Sequence, residues 1–337
     1  MNNRKKRNFL PLRVFPWTKA KEKTRGQIMV EETVLEWYRA KHRTNSNEEI
    51  KFINKNCLSA CPYCGFEHTY KNGLTKNGIQ RFLCPNCNKR YNALTNTIFD
   101  SKKIPISEWI EFLLHLFEFH SIRSSSFDNR NAYSTGKYWL EKVFCVLRNI
   151  QKDVILSGTI YIDEAFFSVV KRNVIKIDNK NLRGISRNKI CVVTGTNKRE
   201  SFFFATNISK LNESESLKFY GNHIKEKSKL IHDLEKSHNV VVEKLHLLSE
   251  SYDSQIIKKL KDEDNPLRPI NDLHRLLKTF MSSHGGYNRD ELQDWLNLFW
   301  FIVNGPKDRY EKVLLFIEKA IKTRKSVKYR DFYSKNG

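Results

Sequence analysis

The sequence predicts a mixed α/β protein, and three observations carry that prediction. From about residue 155 the runs GTIYIDEAFFSVV, NKICVVTGTN and ESFFFATN are β-rich and separated by turn residues, as in consecutive antiparallel strands. A helical stretch, SESLKFYGNHIKE, and a further short strand, KSKLIHD (227–233), follow. Beyond them NDLHRLLKTFMSSH (271–284) and RDELQDWLNLFWFIV (289–303) have apolar residues at helical spacing, with NPLRP as the breaker before the first. Three strands, a helix, a strand and then helices make a mixed α/β pattern.

The 337 residues suffice for one large domain or two to three small ones, and 39% hydrophobic with 12% aromatic content allows a proper core. Sixty basic against 37 acidic residues give a net charge of +23. Such an excess points to a polyanionic partner, and nucleic acid comes first because phosphate neutralisation drives its binding. No apolar run approaches the roughly 18 residues of a membrane-spanning helix. The N-terminal MNNRKKRNFLPLRVFPW is basic without the continuous apolar region of a secretory signal. The expectation is an intracellular protein whose seven cysteines are reduced and available as thiolates.

Four segments follow in order. Residues 1–50 are rich in Lys and Arg and contain one helical pattern, roughly 28–42 (MVEETVLEWYRAKHR). Residues 55–98 are dominated by Cys, Asn, Lys and Gly. Residues 104–151 open with IPISEWIEFLLHLFEFHS, where Ser107 has the character of an N-cap and an amphipathic helix runs to about Phe119. The polar SIRSSSFDNRNAYSTGK breaks that helix, with room for a short helix in it, and YWLEKVFCVLRNIQ resumes it. This segment reads either as a helix-turn-helix DNA reader or as a helical linker. Residues 155–337 carry the β-rich pattern.

The most specific motif is CPYCGFEHTYKNGLTKNGIQRFLCPNC. Cys61 and Cys64 form one C-x-x-C, Cys84 and Cys87 another, with 19 residues between. Each knuckle points two sulfurs at one tetrahedral cation, the four-thiolate zinc pattern of a structural site; a redox pair explains one C-x-x-C but not two at this separation. His68 is superfluous to a complete quartet, and Cys57, Cys145 and Cys191 read as ordinary buried residues. Arg81, Lys89 and Arg90, with Lys71, Lys76, Phe82 and Tyr91, give the ribbon a basic and aromatic surrounding suited to phosphates and bases.

In the second half, Asp163 and Glu164 interrupt an apolar strand, and burying an unpaired carboxylate costs several kcal/mol. Alternation puts the two acids on opposite sheet faces, so only one is expected to join a site, and periodicity does not choose between them. Asp233 ends the later strand, where α/β sites gather, with Glu235, His238 and Asp253 as rivals. Asn271, His274 and Lys278 fall at i, i+3 and i+7 on one helical face.

An acid in a first strand, another after a fourth, and a polar set on a later helix resemble the RNase H-like transposases and integrases. More narrowly, the ribbon at 61–87, YIDEAFF, LIHDLEKSH and INDLHRLLKTFMSSHGGYNRDELQDWLNLFWFIVN resemble the zinc-ribbon insertion-sequence transposases in which an Asn/His pair replaces the last acid of the DDE triad. The resemblance spans roughly 57–305. It implies an RNase H-like catalytic domain over 155–337 and a DNA transposase that cleaves element ends and transfers a 3′-hydroxyl into target DNA. It also implies Asp163 and Asp233 as ligands of catalytic Mg²⁺ or Mn²⁺, Asn271 and His274 in place of the third acid, and Lys278 on a DNA phosphate. Implied partners are double-stranded DNA, at terminal inverted repeats and target, and further copies of the chain in a homo-oligomer on DNA. The implied location is the bacterial cytoplasm, nucleoid-associated when bound to DNA. The alternative is a non-enzymatic DNA-binding regulator built on the same ribbon and helix-turn-helix; it explains the charge and the cysteines but not an acid inside a strand.

Overall fold

The computed structural model describes residues 47–57, 59–100, 106–128, 131–182, 184–206, 208–257, 259–285 and 289–336. The helix expected over 28–42 lies outside them, as does nearly all of the basic 1–50 segment. Helix α1 (Asn47–Lys55) buries Ile53 in the main core. A three-stranded antiparallel sheet follows, with β1 (Tyr70–Leu74), β2 (Gln80–Leu83) and β3 (Arg90–Asn92) in that spatial order. The hairpin between β1 and β2 turns at Gly78, whose φ of +78° favours glycine.

The next layer is helical: α2 (Ile106–Phe117), α3 (Ile122–Asp128) and α4 (Tyr133–Leu147). Ser107 falls inside the first turn of α2 rather than ahead of it. The chain leaves α2 through Phe119, at a left-handed φ of 67°. Indole stacking of Trp109 on Trp139, 4.3 Å between ring centroids, joins α2 to α4. Close approach of α3 and α4 needs Gly136, where a Cβ would stand 1.8 Å from Ser126 Oγ. Helix α4 buries Tyr138–Leu140, Lys142–Phe144, Val146 and Leu147. Only its first turns are open to solvent, where the Arg123 guanidinium and the Lys137 ammonium both stand 5.5 Å from the Tyr133 ring.

The third part is built on β4 (Thr159–Ser168). A small hairpin, β5 (Lys176–Ile177) and β6 (Lys180–Asn181), precedes β7 (Lys189–Thr196) and β8 (Ser201–Ala205). Then come α5 (Glu213–Tyr220), β9 (Lys229–Asp233), α6 (Asn239–Lys244) and β10 (Leu248–Tyr252). Strand order is β10-β9-β4-β7-β8; β4, β7 and β8 run antiparallel to one another in turn, while β9 is parallel to β4 and β10 to β9. Three antiparallel strands followed by two parallel crossovers in this order are the RNase H-like arrangement, as expected. Strand β10 goes beyond the expectation: LSESY has no apolar alternation, lies on the sheet edge and is held by its parallel register with β9.

Helices cover both faces. Ile160, Ile162 and Val193 pack with Tyr220 and Val241 on the side of α5 and α6. The opposite side receives α7 (Ser254–Ile257), α8 (Arg268–Ser282) and α9 (Arg289–Asn304), followed by α10 (Arg309–Lys322) and α11 (Tyr329–Asn336). NPLRP does not wholly precede the helix: α8 starts at Arg268, with Pro269 in the first turn, where a missing N–H is harmless. The core of α8, α9 and α10 is continuous with that of α2 and α4, so the helical segment and the sheet share one interior.

The outer edge of β8 is met by side chains instead of a sixth strand. Gln151 Oε1 accepts from Phe203 N at 2.7 Å, Gln293 Oε1 from Ala205 N at 2.9 Å and Asn304 Oδ1 from Ser201 N at 2.8 Å. Trp300 Nε1 donates to Ser201 O at 2.6 Å. Three of these four side chains stand on α9, and each satisfies a main-chain group that an open edge would leave to water.

Candidate active site and four-cysteine centre

The site begins where two strands part. Pairing of β4 with β9 stops at Tyr161 and Ile231; β9 ends at Asp233, while β4 continues to Ser168 with β7 on its other side. Asp163 and Asp233 stand at this opening, and α8 crosses above it. His274 Nδ1 lies 3.5 Å from Asp163 Oδ2. Asp163, Glu164, Asn271, His274, Arg275, Lys278, Thr279 and Ser282 line a cleft of about 560 Å³. Asn271 and Lys278 are exposed at its mouth and His274 is buried at its floor.

Asp163 and Glu164 do face opposite sides of β4, Asp163 meeting His274 of α8 and Glu164 meeting Tyr220 of α5. Opposite faces are expected to keep Asp163 and Glu164 apart, yet both line this cleft. Beyond Tyr161 no β9 backbone separates the faces, so neighbouring side chains reach the same opening from either side. Glu164 Oε1 accepts from the Tyr220 hydroxyl at 2.7 Å and lies 3.0 Å from His238 Nε2. The buried His238 ring then places Nδ1 3.4 Å from Asp233 Oδ1 and 3.2 Å from His232 Nδ1. His238 thus bridges the acid next to Asp163 and the acid ending β9. Its signal in the sequence is only proximity to Asp233, because it sits in a single 3₁₀ turn, Lys236–His238, without periodicity. The other rivals turn elsewhere: Glu235 lies 3.5 Å from Lys210, and Asp253 accepts from Gln255 N.

Electrostatics follow from crowding. Burial, then the Glu164 charge, pushes the Asp163 carboxyl up to about 7. Burial also raises Asp233, against the pull of His238. Burial opposes Glu164 ionisation too, but hydrogen bonding and charge from His238, with the Tyr220 hydroxyl, outweigh it and hold that carboxyl low. His274 is lowered to about 4 by burial and by Lys278, so its contact with Asp163 at neutral pH is not an ion pair. Its Nε2 is buried with no hydrogen-bond partner among the described residues. Asp163 and Glu164 line the cleft and Asp233 is tied to Glu164 through His238, so three acids lie close together, and carboxylate and amide oxygens suit Mg²⁺ or Mn²⁺. The donor set fits a hard divalent cation.

At the ribbon, Cys61 Sγ lies 3.7 Å from Cys87 Sγ, and Cys64 Sγ 3.5 Å from Cys84 Sγ. All four sulfurs lie within 4.8 Å of one another. A tetrahedral cation with metal–sulfur bonds of about 2.3 Å needs sulfurs about 3.8 Å apart, so the quartet fits Zn²⁺. Each knuckle turns just after its second cysteine, at Gly65 with φ 77° and Asn88 with φ 54°. His68 is exposed and turned to Phe66. Lys89 and Arg90 are exposed, Lys89 lying 4.7 Å from the Tyr63 ring, and Arg81 is half-buried. Cys191 is buried as expected, whereas Cys57 and Cys145 are only half-buried.

No protein-family model matches the chain, and no curated protein does. Among solved structures, "Mos1 transposase paired-end complex with left transposon end" aligns over 64% of this chain and 76% of that chain, at 10% identity and a TM-score of 0.30. "Structure of Mos1 transposase catalytic domain and Raltegravir with Mg" aligns over 64% and 92%, at 10% identity and a TM-score of 0.29. "Crystal structure of the Mos1 mariner paired end complex with Mn" aligns over 55% and 60%, at 12% identity and 0.29. Overlap this loose adds nothing about function; the RNase H-like assignment stands on strand order and direction. Among the described residues no helix is long and apolar enough to cross a membrane.

Proposed function

We propose that the chain is a DNA transposase of the insertion-sequence type, cleaving the ends of a mobile element and joining the freed 3′-hydroxyl to target DNA. The observation that carries this reading is the 3.5 Å approach of His274 on α8 to Asp163 on the first strand of an RNase H-like sheet, with Asp233, at the end of the parallel neighbour, joined through His238 to Glu164 beside Asp163. A metal-free regulator has no use for that convergence.

Asp163 and Asp233 are assigned as carboxylate ligands, and Asn271 with His274 completes the set from α8. When bound, Mg²⁺ or Mn²⁺ supplies Lewis-acid polarisation of the phosphate and a more acidic attacking water or hydroxyl. Lys278 and Arg275, exposed along the cleft, hold the DNA backbone in line with those ligands. The quartet Cys61, Cys64, Cys84 and Cys87 holds a structural Zn²⁺. Arg81, Lys89 and Arg90 on that ribbon, with the exposed first turn of α4, grip the terminal repeats. Copies of the chain pair on the two ends, so that cleavage and joining are coupled.

The test uses a supercoiled plasmid bearing the DNA that flanks this reading frame. The intact chain should nick and join it in Mg²⁺ or Mn²⁺; Asp163→Asn and Asp233→Asn should bind it equally well and leave it uncut. Binding without cleavage by the unaltered chain would favour the regulator and defeat the proposal.

A further inference from the structure

Resting on the reading of this cleft as a divalent-metal centre, we propose that Glu164 is a third carboxylate ligand, supplying from β4 the acid that α8 does not bring to the cleft, its Asp272 being turned to Arg268 and Arg275 instead. Adjacent strand residues ordinarily diverge, but past the last β4–β9 pair at Tyr161 the side chain of Glu164 reaches the same opening as Asp163.

The two oxygens of Glu164 have different surroundings. Oε1 is saturated, accepting from Tyr220 at 2.7 Å and standing 3.0 Å from His238 Nε2. Oε2 has no hydrogen-bond partner among the described residues, and Glu164 lines the cleft, so Oε2 is the oxygen left for a ligand there. Two donors gripping one oxygen fix the carboxylate so that the other is presented as a single ligand atom. Second donors of this kind commonly orient metal ligands. The same His238 ring stands 3.4 Å from Asp233 Oδ1, so one imidazole braces acids from two strands.

The chemistry favours recruiting this group. Helix α8 offers the cleft a neutral amide oxygen from Asn271 and an imidazole nitrogen from His274, both weak matches for Mg²⁺ compared with a carboxylate. Asp163 and Asp233 alone leave two anionic side chains for cations that neutralise a phosphodiester. Glu164 restores the third without an α8 acid in the cleft.

Mn²⁺ uptake by the zinc-loaded full-length chain, read from the electron paramagnetic resonance of free Mn²⁺ without DNA, tests this. Asp163→Asn and Glu164→Gln should each weaken uptake by roughly tenfold or more, while Glu235→Gln, an acid outside the cleft, leaves it unchanged. In Glu164→Gln the new amide oxygen still accepts from Tyr220 and His238, and an unchanged unfolding midpoint shows that the fold survives. Uptake by Glu164→Gln equal to that of the unaltered chain, with Asp163→Asn defective, overturns the inference and leaves the metal centre standing. An equal loss in Glu235→Gln reduces the effect to general charge and also overturns it. No uptake by the unaltered chain overturns both readings. Uptake that depends on Glu164 in a chain that cuts no DNA supports the inference and defeats the transposase reading alone.

Discussion

Replacing Asp163 by Asn should stabilise the metal-free chain, and by an amount that depends on pH. Burial and the Glu164 charge raise the Asp163 carboxyl from an ordinary 3.8 to about 7. A rise of that size corresponds to about 4 kcal/mol of cost carried by the ionised form. The side chain keeps 26% of its surface exposed, and water in the open cleft reduces this to roughly 2–4 kcal/mol. Between pH 4 and 7 the folded state binds the proton more tightly than the unfolded chain, so stability falls as pH rises through that window. Asn does not titrate, and its amide oxygen can still accept the Glu164 N–H that Asp163 Oδ1 accepts at 2.8 Å. Urea unfolding of the zinc-loaded protein in magnesium-free buffer should show no difference near pH 4, and the Asp163→Asn variant as the more stable form near pH 8. Saturating Mg²⁺ should narrow or reverse the gap, since only the carboxylate gains from the cation. A gap that is absent at pH 8, or constant from pH 4 to pH 8, would refute the crowding of charge on which the site depends.

Other outcomes are open to direct measurement. Cys84→Ser should lose the bound zinc, by metal analysis, and expose the ribbon to proteolysis while the sheet still unfolds cooperatively. Lys278→Ala should weaken DNA binding evenly across sequences and lower the slope of log affinity against log salt by about 1. Trp300→Phe removes the 2.6 Å bond to Ser201 O and should cost about 1–2 kcal/mol in urea unfolding. Gly136→Ala drives a Cβ toward Ser126 Oγ and should cost about 1–3 kcal/mol by overpacking where α3 meets α4.

Legibility in the sequence tracks how local each determinant is. The quartet at 61–87 is plain because metal spacing is written along the chain. Strands β4, β7, β8 and β9 are readable from their apolar runs, and α8 and α9 from helical spacing; β10 escapes because its identity comes from a neighbour and not from its own residues. Asp163, Asp233 and His274 are each visible, but the 3.5 Å approach of His274 to Asp163 and the link of Asp233 to Glu164 through His238 are products of topology. Alternation along β4 holds, Asp163 facing α8 and Glu164 facing Tyr220 of α5, but it does not keep Glu164 out of the cleft, because β9 no longer flanks β4 there. His238 carries no pattern at all; what places it in the site is a turn that packs its ring beneath Glu164.

The side chains that close the border of β8 also settle where the chain can meet its own kind. A rim already occupied by Gln151, Gln293, Trp300 and Asn304 offers no template for a strand from another molecule, so the pairing of copies proposed above would use other surfaces. The same pins fix α9 against slipping along the sheet, and through it the neighbouring helix that brings His274 over Asp163. A lesion at Gln151, on the far border from β9, should therefore be felt as a shift of the imidazole above the acids.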